Sequence, residues 1–169
     1  MPVVYVIGGA NGSGKTTSAL SILPTLGVIE FVNADAIASG LSPLNPESMA
    51  IQAGRLMLER LNELAEAGSD FAFETTLAAR TFAPFLRSCK ARNYTIALLY
   101  FWLPSVELAV ARVARRVASG GHSIPEAVIR RRYERGRRKL IALTLPLRDF
   151  WQILDNAEPE YQLIVEKVI

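Results

Sequence analysis

Short, wholly apolar runs alternate with longer stretches of helical spacing along this chain. Val3, Val4, Tyr5, Val6 and Ile7 are apolar without interruption, as a strand covered on both faces must be. The same reasoning predicts strands over 28–32, 71–73, 95–102 and 151–154. Residues 161–168 alternate instead, with Tyr161, Leu163 and Val165 set against Gln162, Ile164 and Glu166, the pattern of an edge strand. Between these runs the period changes to that of a helix. One helix is expected over 15–23, stopped by Pro24. Another opens at Pro46-Glu47 and reaches about residue 66, with Met49, Ala53, Leu56, Met57, Leu61 and Leu64 on its inner face. Residues 39–46 before it read as a loop, and a further helix covers 81–92. The next runs from Pro104-Ser105 to Gly120-Gly121 with Val106, Val110, Val113 and Val117 inward. The last reaches about residue 143, opened by a capping box of Ser123 and Glu126 with Pro125 in its first turn.

Strand and helix in alternation predict an α/β fold. The expectation is three layers, α/β/α, around a mostly parallel five-stranded sheet, with an antiparallel strand at its C-terminal edge. A chain of 169 residues suits one domain spanning 1–169.

The connection between the first strand and the first helix reads GGANGSGKTT, Gly8 to Thr17. Gly9, four residues, then Gly14-Lys15-Thr16 is a complete phosphate-binding loop, in the strand–loop–helix context it requires. Glycines let backbone N–H groups turn inward around phosphate oxygens, and the helix start adds its positive dipole end. Gly9, Ala10, Asn11, Gly12, Ser13, Gly14, Lys15, Thr16 and Thr17 are therefore the candidate nucleotide-binding residues. Lys15 is placed to reach β- and γ-phosphates and the Thr16 hydroxyl to meet Mg²⁺. ATP and Mg²⁺ are the expected cofactors.

Composition narrows the classes. Half the residues are hydrophobic and 21% are charged, so the chain is globular. No apolar run approaches the ~20 residues of a membrane span. The N-terminus enters a strand at once, without the pattern of a leader, so a cytoplasmic location is the expectation. Cys89 and His122 are the only residues of their kinds, which leaves no zinc set and no internal disulfide. Net charge is +3, yet ten of the 19 basic residues fall within 112–139, against only Glu126 and Glu134. That clustering implies an anionic partner.

Two more strand ends are polar: Asn33-Ala34-Asp35 after the second, and Glu74-Thr75-Thr76 after the third. In a parallel sheet both share the phosphate loop's edge, where such sheets bind ligands. Motor and switch ATPases carry an apolar strand ending in Asp or Asp-Glu, and no such segment is present; Phe71-Ala72-Phe73-Glu74 is nearest. A small-molecule kinase needs other parts. One is a carboxylate to orient the acceptor hydroxyl, which Asp35 fits. The other is a set of mobile cations to close over the transferred group, which the arginine-rich helices around Gly120-Gly121-His122 fit. The segment 112–139 is thus an expected lid.

Four stretches together resemble the zeta-toxin-like phosphate-loop kinases: GGANGSGKTT, NADAIA from Asn33, FETTL from Phe73, and RVARRVASGGHSIPEAVIRRRYERG over residues 112–136. The resemblance covers nearly the whole chain. It implies a five-stranded kinase core and transfer of the ATP γ-phosphate to the 3′-hydroxyl of the amino sugar in UDP-N-acetylglucosamine. It also implies a small antitoxin that blocks the ATP site. Residue by residue, it makes Lys15 and Thr16 the phosphate and Mg²⁺ contacts and Asp35 the catalytic base. Glu74 becomes a strand-end acid near substrate and metal, and Arg115 or Arg116 the arginine that neutralises the γ-phosphate. The longer toxins carry an arginine ahead of the lid proline, where this chain has His122.

Each candidate also has a plainer reading. Asp35 can cap the turn after the second strand. Glu74 can be structural glue beside a basic residue. Thr75 and Thr76 can donate to a substrate or merely cap, and Arg80 can meet a substrate phosphate or simply face water. His122 stands in a hinge-like loop. Asn156, after the fifth strand, is placed to touch adenine. Two other functions fit the same parts: a polynucleotide 5′-hydroxyl kinase, and a nucleotide-dependent regulatory protein. Only Tyr133 interleaves the basic run, so a base-stacking platform is lacking and nucleic acid is the weaker partner.

Overall fold

The computed structural model describes residues 1–121, 123–141, 147–158 and 160–167. A six-stranded sheet has the order β2-β3-β1-β4-β5-β6. Its strands are β1 (Val3–Gly9), β2 (Phe31–Val32), β3 (Phe71–Thr75), β4 (Thr95–Trp102), β5 (Phe150–Asp155) and β6 (Gln162–Lys167). The first five run parallel, and β6 pairs antiparallel to β5 at the edge. This is the expected α/β architecture. The helices are α1 (Lys15–Thr25), α2 (Ala34–Leu41), α3 (Ala50–Glu66), α4 (Phe82–Ala91), α5 (Val106–Ala118) and α6 (Glu126–Lys139), with a 3₁₀ turn over Pro46–Met49.

Alternation along the strands sorts the core into layers. Val4 and Val6 join Phe71, Phe73, Ile96 and Leu98 under α3 and α4, which bring Met57, Leu61, Leu64, Phe85, Leu86 and Cys89. Ile7, Ala72, Phe101 and Leu154 face the other way, against Ala19 and Leu23 of α1. Parallel strands must be covered on both sides, and these two clusters do so. A third cluster holds α5 to α6, through Ala109 and Val113 against Ile129 and Tyr133, beside Ala10 of the phosphate loop and Leu103. Cys89 is fully buried and its thiol is pushed up to about 11 by that burial, so it is a packing residue.

Several expectations shift by a few residues, each for a local reason. The second strand shrinks to two residues because the Val28 amide donates to Leu23 O, closing α1, and leaves Ile29 out in solvent. Pro24 sits inside the last turn of α1 rather than ending it. The helix expected from residue 46 begins as a 3₁₀ turn; Met49 is only half-buried and Leu56 is 36% exposed. In α5 the buried residues are Ala109 and Val113, while Val117 is 36% exposed. The capping box at Ser123 does not form. Pro125 is the N-cap and keeps an extended backbone (ψ 135°), which places Ser123 too far upstream; Glu126 accepts from Arg130 at 2.8 Å instead. The expected extension of α6 to residue 143 lies partly outside the described residues, as does His122.

The main omission is α2. The region 34–41 is not a strand end followed by a loop but a helix. The Asn33 side-chain oxygen accepts from the amides of Asp35 (2.8 Å) and Ala36 (3.2 Å), which is an N-cap. Asp35 therefore stands in the first turn of a helix, a position the helix dipole favours for a carboxylate.

Phe73 links core and site. It is fully buried, stacks on Phe82 at 5.1 Å and meets Phe85 edge-on at 6.0 Å. Phe73→Ala is expected to cost about 3–5 kcal/mol, read as a lower urea midpoint with an unchanged m-value.

Candidate active site

The phosphate loop leaves β1 with its glycines in conformations that side chains avoid: Gly12 at φ +76° and Gly14 at +81°. Space is equally tight. A Cβ on Gly12 would approach Ala109 O to 2.9 Å, and one on Gly14 would overlap the Asn156 amide. The loop is braced from outside. Asn156 Nδ2 donates to Ser13 O at 2.7 Å, and Arg112 donates to Asn156 O (2.7 Å) and Ala157 O (2.6 Å). Asn156, expected near adenine, is thus seen holding the loop.

Lys15 is 5% exposed. Burial pushes its ammonium below the ordinary lysine range, and the carboxylates of Glu74 and Asp35 partly oppose that, with Glu74 the stronger. Its Nζ donates to Ala10 O at 2.7 Å and lies 3.5 Å from Glu74 Oε1. Glu74 comes from β3, whose register with β1 sets it opposite Ile7 at the strand that leads into the loop. Its other oxygen, Oε2, accepts from Thr16 Oγ1 at 2.6 Å and from Asn33 Nδ2 at 2.8 Å. One carboxylate thus ties together Lys15, Thr16 and the cap of α2.

Mg²⁺ favours a small number of carboxylates completed by phosphate oxygens and water. The Glu74 carboxylate and the Thr16 hydroxyl, hard oxygen donors in direct contact at the loop, fit that requirement. Among the described residues no set of three or more His, Cys, Asp or Glu could make a metal site from protein alone.

Two cavities meet here. A cleft of about 230 Å³ runs over the loop and is lined by Asn11, Gly12, Gly14, Lys15, Thr16 and Thr17, with Arg112 and Arg116 above them. A larger cavity of about 390 Å³ lies between α3, the β3–α4 connection and α6. Its polar residues include Asn33, Arg55, Thr76 and Arg132, and its apolar wall includes Met57 and Phe82. Asn11, Lys15, Asp35 and Glu74 line both. Asp35 also lines a third cavity, of about 340 Å³, shared with Arg131 and Arg132 of α6.

The other candidates separate. Arg116 lines the loop cleft, and Arg115, exposed near the end of α5, does not. Thr75 Oγ1 accepts from the Leu77 amide at 2.9 Å and serves the turn, although Thr75 also lines the larger cavity. Arg80 lines a different cavity. Tyr133 is buried, with its hydroxyl donating to Leu103 O at 2.9 Å. Arg55 and Arg132 join the cavity without a clear sequence signal. Arg132 lies within a basic run, where only helical phase separates it from solvated neighbours, and Arg55 is one charge on a helix.

The family model described as an AAA domain, AAA_33, matches residues 4–138. The chain belongs to that family. An uncharacterized protein of Haemophilus influenzae is 30% identical over 125 residues, which cover 74% of this chain and 88% of that one. The fold is similar to a chain of the PezAT chromosomal toxin–antitoxin system of Streptococcus pneumoniae, with a TM-score of 0.71 and 17% identity over 98% of this chain and 72% of that one. It is also similar to a gluconokinase from Sinorhizobium meliloti, with a TM-score of 0.57 and 17% identity over 94% and 84%. This AAA_33 protein thus has a phosphate-loop kinase-like fold. Among the described residues no helix is long and apolar enough to cross a membrane.

Glu74→Ala would leave the buried Lys15 ammonium without its nearest carboxylate. The expected loss is about 3 kcal/mol by chemical denaturation, and Glu74→Gln is expected to recover only the part owed to its hydrogen bonds.

Proposed function

We propose that the protein is an ATP-dependent phosphotransferase whose acceptor is a hydroxyl of a small phosphorylated molecule, with UDP-N-acetylglucosamine the leading candidate. The observation that carries this reading is the position of Asp35, on the shared wall of the loop cleft and the 390 Å³ cavity. A carboxylate there can face an acceptor hydroxyl while the γ-phosphate lies over Lys15.

In this reading the loop amides and Lys15 hold the β- and γ-phosphates, and Arg116 neutralises charge on the transferred group. Asp35 accepts the hydroxyl proton as the acceptor oxygen bonds to Pγ and the bond from Pγ to the bridging oxygen breaks, releasing ADP. Thr16 and Glu74 would hold Mg²⁺, which would supply charge neutralisation to the phosphates. Arg55 and Arg132 hold negative charge on the acceptor. The segment 112–139 serves as the lid, with α5 supplying its cations to the nucleotide and α6 to the acceptor. The sugar nucleotide is favoured by the four motif stretches and by the likeness in fold to the PezAT chain. A small antitoxin protein over the loop cleft and a cytoplasmic location belong to the same reading. The polynucleotide alternative is weakened because Tyr133, the one aromatic residue in the basic run, is buried.

The test is Mg·ATP turnover with and without UDP-N-acetylglucosamine. Asp35→Asn is expected to bind ATP normally and to lose about 10²–10⁴-fold in kcat. Lys15→Ala is expected to lose ATP affinity as well as turnover. Full transfer by Asp35→Asn would remove Asp35 as the base; ATP binding without any transfer to the sugar nucleotide would remove that acceptor.

A further inference from the structure

The acceptor cavity has a neighbour that the phosphate loop does not explain. Ala78 and Ala79, in the β3–α4 connection, line the acceptor cavity and also a separate cavity of about 690 Å³. Every other residue lining that second cavity is basic: Arg80, Arg135, Arg138 and Lys139. Among the described residues no carboxylate forms an ion pair with any of the four.

Arg80, Arg135 and Arg138 are exposed and Lys139 is half-buried, so the crowding of like charge, not burial, marks this face. Arg135, Arg138 and Lys139 stand at i, i+3 and i+4 on α6, one above another, and like charges at that spacing destabilise a helix. Arg80 is added from the facing connection. The two walls are held together rather than free to part. Gly136 comes so near Thr76 O that a Cβ would overlap it, and Lys139 Nζ donates to Ala78 O. Burial first, and then the charges of Arg80 and Arg135, push the Lys139 ammonium below its ordinary range.

A further cation lies close by. Arg148 is 5% exposed, and its Nε and both Nη atoms are buried without a hydrogen-bond partner. It lines a small cavity that shares Ala79 and Lys139 with the cationic one, without itself lining the latter. A guanidinium with five unmet donors is costly unless an acceptor or water reaches it.

We infer that this cavity is an anion subsite, which takes a phosphate or diphosphate borne by the acceptor while the acceptor's hydroxyl faces Asp35. The inference rests on the phosphotransferase reading for the word acceptor, and on the cation-lined cavity alone for the anion. It sets the substrate class: an extended molecule whose phosphate lies away from the reacting hydroxyl. A neutral sugar would fill the first cavity and leave these cations uncompensated. Guanidinium groups suit this task because they meet phosphate oxygens in pairs.

The probe is inorganic pyrophosphate, titrated calorimetrically. Lys15→Ala weakens the competing phosphate loop, and Arg80→Ala/Arg135→Ala removes two exposed cations with little risk to folding, checked by circular dichroism. Pyrophosphate is expected to bind Lys15→Ala, and adding the arginine pair is expected to raise Kd at least about tenfold. Arg80→Lys/Arg135→Lys should recover part of that loss. A Kd indifferent to the arginine pair overturns the subsite. In turnover assays, the arginine double variant is expected to raise KM for a phosphorylated acceptor far more than it lowers kcat. Transfer with an unchanged acceptor KM overturns the subsite and leaves the phosphotransferase standing. Arginine-dependent pyrophosphate binding with no transfer to any small hydroxyl compound supports the anion site and counts against the phosphotransferase alone. Competition by an oligonucleotide at far lower concentration than pyrophosphate would overturn the small-molecule class.

Discussion

A buried ammonium is the constraint on which this site depends. Lys15 leaves the phosphate loop for the interior, 5% exposed, and an uncompensated charge there would be costly. Glu74 supplies the compensation, at 3.5 Å. The same carboxylate accepts from Thr16 and Asn33, so the group that steadies the lysine also orients the hydroxyl beside it and the cap of α2. Asp35 owes its place to that cap. Two side chains separated by 41 residues, Asn33 and Glu74, thus decide where the proposed base stands.

The sheet makes this possible. Parallel pairing of β1 with β3 and of β3 with β2 brings three strand ends to one edge, and three functional segments leave from there. On the other side of β1, β4 and β5 carry the chain to Asn156 and Ala157, which are tied to Arg112 of α5 and to the loop itself. The loop is therefore clamped between a carboxylate on one flank and an amide–guanidinium pair on the other. Its glycines have little freedom to move, as preorganised recognition of phosphate requires.

The basic segment divides its work. Arg112 holds the loop's flank, Arg116 lines the cleft over the phosphate loop, and Arg132 lines the 390 Å³ cavity beside it. Arg130 pairs with Glu107 and Glu126, and Arg137 lies 4.3 Å over the Trp102 ring. What remains on the far turn of α6 is gathered around a single cavity.

From the sequence alone came the alternation of elements, the parallel order at the loop edge and the nucleotide-binding loop. These rest on local chemistry: apolar runs, glycine backbone freedom and a lysine at fixed spacing. Helix α2 was also written locally, in Asn33 ahead of Ala34 and Asp35, but its apolar spacing was too short to stand out from a strand end. The tertiary structure decided everything that depends on separation in space. It set how close Glu74 comes to Lys15 and Thr16, gave Asn156 and Arg112 to the loop's support, and put Arg55 and Arg132 on the wall of the 390 Å³ cavity. The reason is physical. A charge on a helix has one identity in sequence, but its role depends on helical phase and on which wall folds opposite it, and neither is a local property of the chain.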